Sequence, residues 1–193
     1  SWEIEVNIIS IGIIGLVIVG FYVWYVSLIY KRNNTKEALS GIDVQLRKRA
    51  DLIPNMLILA KKYMQYEMDI MTRIAELRSK TTQNYDPKDP NAIQAHFQDA
   101  EKLASSLGQF KLAVENYPDL KSNQAMLEAM ESLNEIEAQI AAARRFYNSS
   151  VTELNNAVQI FPGNIIASLV NVKELPFYET DAASKNPIDA NKF

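Results

Sequence analysis

NIISIGIIGLVIVGFYVWYVSLIY, from Asn7 to Tyr30, carries no charged side chain, and KRNNTK follows directly from Lys31. As a helix rising 1.5 Å per residue the stretch is roughly 36 Å long, enough to cross a hydrocarbon layer of about 30 Å with some tilt. Three readings compete: a cleaved export signal, a buried core helix and a membrane anchor. A signal peptide needs a basic N-terminal region, a shorter apolar core and a small-residue cleavage site, whereas SWEIEV, with Glu3 and Glu5, precedes this run. A core helix of a soluble domain shows a polar stripe; here only Asn7, Ser10 and Ser27 interrupt, apart from tyrosine hydroxyls. A membrane anchor is therefore expected.

Trp2 and the Trp24-Tyr25 pair lie about 33 Å apart on a helical rise, the spacing of aromatic belts at two water interfaces. Tyr30, Lys31 and Arg32 close the run at its polar end. No Lys or Arg precedes it, while Lys31, Arg32, Lys36, Arg47, Lys48 and Arg49 follow. Basic residues stay on the cytoplasmic side of a bilayer, so the N-terminus is expected outside and the large C-terminal part in the cytoplasm. Gly12, Gly15 and Gly20 are three and five residues apart and miss the four-residue spacing of close helix dimers.

The 193 residues carry a net charge of -3 and are 48% hydrophobic, which leaves one domain of ordinary size beyond the anchor. That balance argues against a nucleic-acid binder, which needs a concentrated basic face, and the triplet Arg47 to Arg49 is too short to be one. With no cysteine there is no disulfide framework, thiol nucleophile or thiolate metal site.

Only 6 Gly and 7 Pro punctuate the chain, so long helices are expected between a few breaks. From Thr35 to about Lys80, Leu39, Ile42, Leu46, Ile53, Met56, Ala60, Tyr63, Ile70, Ile74 and Leu77 recur in steps close to a heptad, predicting one helix. Pro54 inside it frees the carbonyl of Ala50 and bends the rod, as a tolerated kink or as a functional hinge. TTQNYDPKDP breaks the pattern, and Asp89-Pro90 reads as an N-cap with proline in the first turn of a helix from Asn91 to about Asn116. YPD at Tyr117 to Asp119 ends that helix, and a third stripe runs from Ser122 to Phe161, roughly 60 Å long. FPGN at Phe161 to Asn164 stops it. IIASLVN supplies one short helix, KELPFYET looks extended, and a polar tail follows.

Taken together, QLRKRADLIPN (which holds Pro54 and Asn55), YPDLK, RRFYN, FPGN and the later ELPFYE resemble the successive signature blocks of the LemA family of bacterial membrane proteins, in order from Ile42 to Glu179. The resemblance implies a single N-terminal span, an N-out and C-in orientation in at least some members, and a long helical bundle. It further implies a bacterial cytoplasmic membrane and links to membrane remodelling, because one branch takes part in forming magnetosome membranes. No enzymatic activity is established for the family. Tyr117, Pro118, Tyr147, Asn148, Pro162, Gly163 and Asn164 carry its motifs. The residues themselves read as architectural, since YPD and FPGN build turns and Tyr147 is an apolar body whose hydroxyl needs a partner.

Catalytic chemistry finds no footing. His96 is the one histidine, with no nucleophile and base to complete a triad. Glu128, Glu131, Glu135 and Glu137 crowd the third helix, but carboxylate-bridged metal bundles need Glu-x-x-His pairs, so a solvated acidic face is expected. Asp43, Arg47 and Asp51, four residues apart, form a ladder along one helix face. Arg49 and Glu67 fall where the stripe expects apolar groups, and Arg144 lies near the third seam. A charge in a packed seam costs several kcal/mol unless partnered, so an interhelical polar cluster of Arg49, Glu67, Glu137 and Arg144 is expected, against simple surface exposure.

The expected architecture is all-α: a single transmembrane helix, then an elongated antiparallel bundle of long helices, a short C-terminal helix and an extended tail. Residues 1–32 form the anchor, with the span at about 7–30; residues 33–179 form the bundle, and 180–193 the polar tail. The expected role is a non-enzymatic, membrane-anchored scaffold. Its partners are the lipid bilayer, further copies of itself through Phe177 and Tyr178, and unidentified membrane proteins, with no cofactor, metal or nucleic acid. The alternative is a sensor or adaptor for a separate membrane protease or signalling enzyme, with Pro54 as a joint.

Overall fold

A computed structural model describes residues 2–180; all but the first residue of the expected polar tail, and Ser1, lie outside the described residues. Among the described residues there are six helices: α1 (Trp2–Ala60), α2 (Met68–Thr81), α3 (Pro90–Val114), α4 (Pro118–Lys121), α5 (Gln124–Gln159) and α6 (Gly163–Leu169). There is no strand among the described residues, in keeping with an all-helical bundle preceded by an apolar helix. Two compact units divide the chain, residues 2–37 with 149–175, and residues 38–148 with 176–180.

In the first unit the apolar run of α1 is exposed from Asn7 to Val26, and burial sets in with half-buried Ser27 and buried Leu28. Leu28 packs with Leu154, Ala157, Ile166, Ala167 and Val172. Thr35 is buried, its hydroxyl donating to the carbonyls of Lys31 (2.9 Å) and Ser150 (3.2 Å). The FPGN turn, with a cis Phe161–Pro162 bond, leads into α6. At its head a Cβ on Gly163 would stand 2.1 Å from the Ala157 carbonyl oxygen, so no larger residue fits the approach of the two helices. At its foot Asn171 takes a left-handed φ of 53°. Val172 N–H then donates back to Ala167 O (2.9 Å) and Asn171 N–H to Ser168 O (3.4 Å), a Schellman ending in which asparagine stands in for the usual glycine.

The second unit is held by a core from Ile53, Met56, Ala60 and Met64 through Met71, Ile74 and Leu77 to Leu103, Leu107, Phe110, Leu120, Met126 and Leu133. Helix α2 lies along α3. The Asp89 side chain caps α3 by accepting from Asn91 N–H (3.0 Å), with Pro90 in the first turn, as its residue types dictate.

The single helix expected from Thr35 to Lys80 is in fact two. Residues 61–67 leave the helix, and α2 restarts at Met68. Lys61, Met64 and Tyr63 close the last turn of α1 by donating to Leu57 O and Ala60 O. KKYMQYE contains no glycine or proline, so nothing in composition marks this break. Apolar groups continue across it, with Met64 rather than Tyr63 fully buried.

Pro54 sits inside α1, where its missing N–H leaves the Ala50 carbonyl without its helical donor. Arg78 of α2 supplies one: its Nε donates to Ala50 O at 2.6 Å. A side chain on a neighbouring helix thus replaces a backbone amide, and the kink is braced. Arg78→Ala is expected to cost about 1–3 kcal/mol by orphaning that carbonyl. In a Pro54→Ala background, where an amide is present again, the same change should cost well under half as much. Chemical denaturation of the four variants measures this coupling, and equal costs in both backgrounds would show that Arg78 acts otherwise.

Candidate functional site: the Arg49 layer and its aromatic stack

Among the described residues of the second unit, Arg49 is the buried arginine or lysine side chain. Arg49 is 1% exposed although its position on α1 belongs to the apolar seam. Its Nη2 donates to the main-chain carbonyl of Ala100 on α3 (2.8 Å), and its Nη1 to Glu137 Oε1 on α5 (3.3 Å). One guanidinium fork therefore joins three helices, pairing a buried cation with one carbonyl dipole and one carboxylate while its Nε is buried without a hydrogen-bond partner.

Tyr178, carried by the extended C-terminal segment, closes this layer. It is 1% exposed and stacks on Phe97 of α3, with centroids 4.3 Å apart and planes 8° from parallel. Phe97 meets Tyr147 of α5 edge-on at 5.3 Å, and the Arg144 guanidinium lies 5.9 Å over the Tyr178 ring. Arg49 thus pairs with Glu137, while Arg144 meets the layer through the Tyr178 ring. Glu67 does not join them: it precedes α2, where an acidic group suits the helix N-terminus, and its carboxylate accepts from the Tyr117 hydroxyl (2.7 Å). That bond ties the start of α2 to the start of α4, where Pro118 follows Tyr117.

The extended segment is held by asparagine amides used as substitute peptide groups. Asn148 donates to Tyr178 O (3.1 Å) and accepts from Tyr178 N–H (2.8 Å); the Tyr147 hydroxyl donates to Pro176 O (2.9 Å). In the first unit Asn155 treats Leu175 the same way, with bonds of 3.0 and 2.9 Å. Asn155 escaped the sequence reading, although two asparagines seven residues apart on one helix stripe were the visible signal.

This geometry changes the expected subunit contact. Tyr178 is part of its own chain's core and has no face to offer a neighbour, whereas Phe177 is 39% exposed. Alternation along an extended segment turns the two rings to opposite sides. The ladder along α1 also gives way to longer-range bonds. Asp43 accepts from the Tyr85 hydroxyl (2.8 Å) and pairs with His96 Nε2 (3.0 Å), and the Tyr85 ring stacks on His96 at 4.3 Å. His96 is buried, engaged by this pair.

The remaining sequence candidates are spread along the chain. Trp2, Trp24, Tyr25, Tyr30 and Arg32 are exposed on α1, while Lys31 is half-buried and pairs with Glu153 (3.7 Å). Asn55 and Asn164 are exposed, the latter accepting from Ile165 N–H (2.9 Å). Pro162 immediately precedes α6. Among the described residues no group of three or more His, Cys, Asp or Glu side chains is placed to hold a metal ion.

Burial raises the pKa values of Tyr85, Tyr147 and Tyr178 well above the usual 10.0; the Asp43 charge adds to this at Tyr85, and the Glu101 charge at Tyr178. A group whose pKa is higher folded than unfolded contributes stability that is complete below the unfolded value and lost as pH rises above it. The helical signal should therefore hold up to about pH 10 and collapse cooperatively above it, together with tyrosine ionisation. Circular dichroism and phenolate absorbance followed in one alkaline titration test this. Tyr85→Phe should make the fall shallower. Ionisation of all tyrosines near pH 10 with the helices intact would contradict it.

An exposed N-terminal apolar helix followed by a helical bundle with a packed polar layer defines a membrane-associated helical protein. The chain belongs to the LemA family, whose model matches residues 38–191. It is similar to Protein LemA of Metamycoplasma hominis, 24% identical over 189 residues, covering 96% of this chain and 81% of that one. It is also similar to Magnetosome protein MamQ 2 of Paramagnetospirillum magneticum, at 29% over 86 residues, and to Magnetosome protein MamQ of Magnetospirillum gryphiswaldense, at 28% over 86 residues. Each of these two matches covers 45% of this chain and 32% of the relative, so the chain spans about a third of the magnetosome proteins' length. None of these names is that of an enzyme.

Proposed function

We propose that the chain is a membrane-anchored, non-enzymatic helical scaffold that self-associates and organises membrane or partner proteins. The observation that carries this is α1: its apolar run is exposed as far as Val26, and the same helix goes on to supply Arg49, Ile53 and Met56 to a packed core. A helix of that length and composition can cross a bilayer. The basic residues that follow the run support an N-terminus outside and a bundle in the cytoplasm of a bacterial cytoplasmic membrane. Buried polar side chains such as Arg49, Asn155 and His96 are taken up by structural bonds, which supports a role without catalysis. The family and the magnetosome names of some relatives are compatible with work on membranes. The adaptor alternative needs Pro54 as a moving joint, and the bond from Arg78 to Ala50 weighs against that motion.

Gentle detergent extraction followed by electron microscopy tests the scaffold. Rings, sheets or other large assemblies are expected; a monomer that retains one enzyme would replace the scaffold by the adaptor. Protease added to intact cells should leave the bundle uncut, and its digestion would reverse the orientation.

A further inference from the structure

We infer that the turn between α5 and α6 is a second lipid-contacting element, which rests in the leaflet interface beside the end of the α1 span and takes acyl chains and glycerol-level headgroups as its partner. This rests on the reading of α1 as a span. Ile160, Phe161, Ile165 and Leu169 project from this end of the first unit, with Phe161 70% and Leu169 80% exposed. They are not spare core residues. The inward positions of α6, Ile166 and Ala167, are already buried on Leu28, Ala157 and Val172, and the tight approach of Gly163 to Ala157 fixes which face points out.

Two observations select lipid as the occupant. Leu28 belongs to the apolar run itself, four residues or roughly 6 Å beyond Trp24, so α6 shares a core with the anchor's own last turns, about one helical turn from the Trp24-Tyr25 pair. A patch there is continuous with the surface that the span presents to the bilayer. The composition agrees: from Leu154 to Val172 there is no charged residue, and Glu153 and Lys173 bracket the stretch. A charge-free element with one packed and one bare apolar face, beside a span, is suited to lie in an interface.

The chain has no cysteine, so single spin labels can be placed at will. The full chain carrying Ile165→Cys or Leu169→Cys would be labelled and reconstituted in vesicles of phosphatidylcholine and phosphatidylglycerol. Leu16→Cys serves as the lipid reference and the exposed Asn33→Cys as the water reference. Collision with oxygen should exceed that with a water-soluble nickel chelate at both test sites, several-fold relative to Asn33. Labels at 165 and 169 that behave like Asn33, while Leu16 reports lipid, would overturn the inference and leave the span standing. Labels shielded from both reagents and broadened by spin coupling would overturn it in favour of a second copy of the chain. A Leu16 label in water would remove the span and this inference with it.

Discussion

Glu137→Ala should destabilise the second unit by about 2–4 kcal/mol, although the carboxylate it removes is itself 32% exposed. The cost arises at its partner. Arg49 is 1% exposed, and without Glu137 its charge retains one hydrogen-bonded carbonyl. A buried cation that loses its counter-ion is penalised by 3–5 kcal/mol in typical cases, and the value here falls at the lower side because the Glu137 end is wet. Arg49→Met with Glu137→Leu should recover most of the loss, since an apolar pair removes both desolvation costs and fills the space. Urea titration of the single and double variants in detergent decides the matter. A Glu137→Ala protein as stable as the parent would mean that Arg49 is neutralised by another group.

Tyr178→Ala should cost about 3–5 kcal/mol by emptying the space stacked against Phe97, while the Asn148 bonds, which go to the main chain of residue 178, survive the change. Phe177→Ser, one residue away, should leave folding stability within about 0.5 kcal/mol, because that ring is substantially exposed. If self-association uses this segment, Phe177→Ser alone lowers the assembled mass in light scattering while the thermal midpoint stays put. Truncation after Pro176 is a poorer probe, since it removes both residues and confuses lost assembly with lost folding. A stable Tyr178→Ala protein would show that the segment is not part of the core.

How much of this was legible in the residues depends on the range of the interaction. The apolar run, the Asp89-Pro90 start of α3 and the FPGN stop are local signals, and each stands where its chemistry puts it. A seam position occupied by Arg49 announced a buried partner, and Glu137 was within reach of that reasoning because both lie on stripes that face inward. Glu67 looked equivalent, yet a heptad count assumes an unbroken helix, and the break at 61–67 removed the register on which its place depended. Asp43 has Arg47 four residues away, but His96 and Tyr85 come from chain segments that only tertiary packing brings to it. For the same reason Tyr178 read as a free apolar group: its slot is made by Phe97, Tyr147 and Asn148 together, and no spacing rule connects them to residue 178.

Pro54 and Arg78 also carry a statement about history. A lineage that acquired the proline first would have passed through a form with a bare carbonyl inside a packed helix, while one that acquired the arginine first would have held an innocuous extra donor. The second order is open and the first is penalised, so Arg78 is expected to be permissive for Pro54 when the two are introduced one at a time. Reversion is equally one-sided: the proline can leave at any time, but the arginine is entrenched for as long as the proline remains.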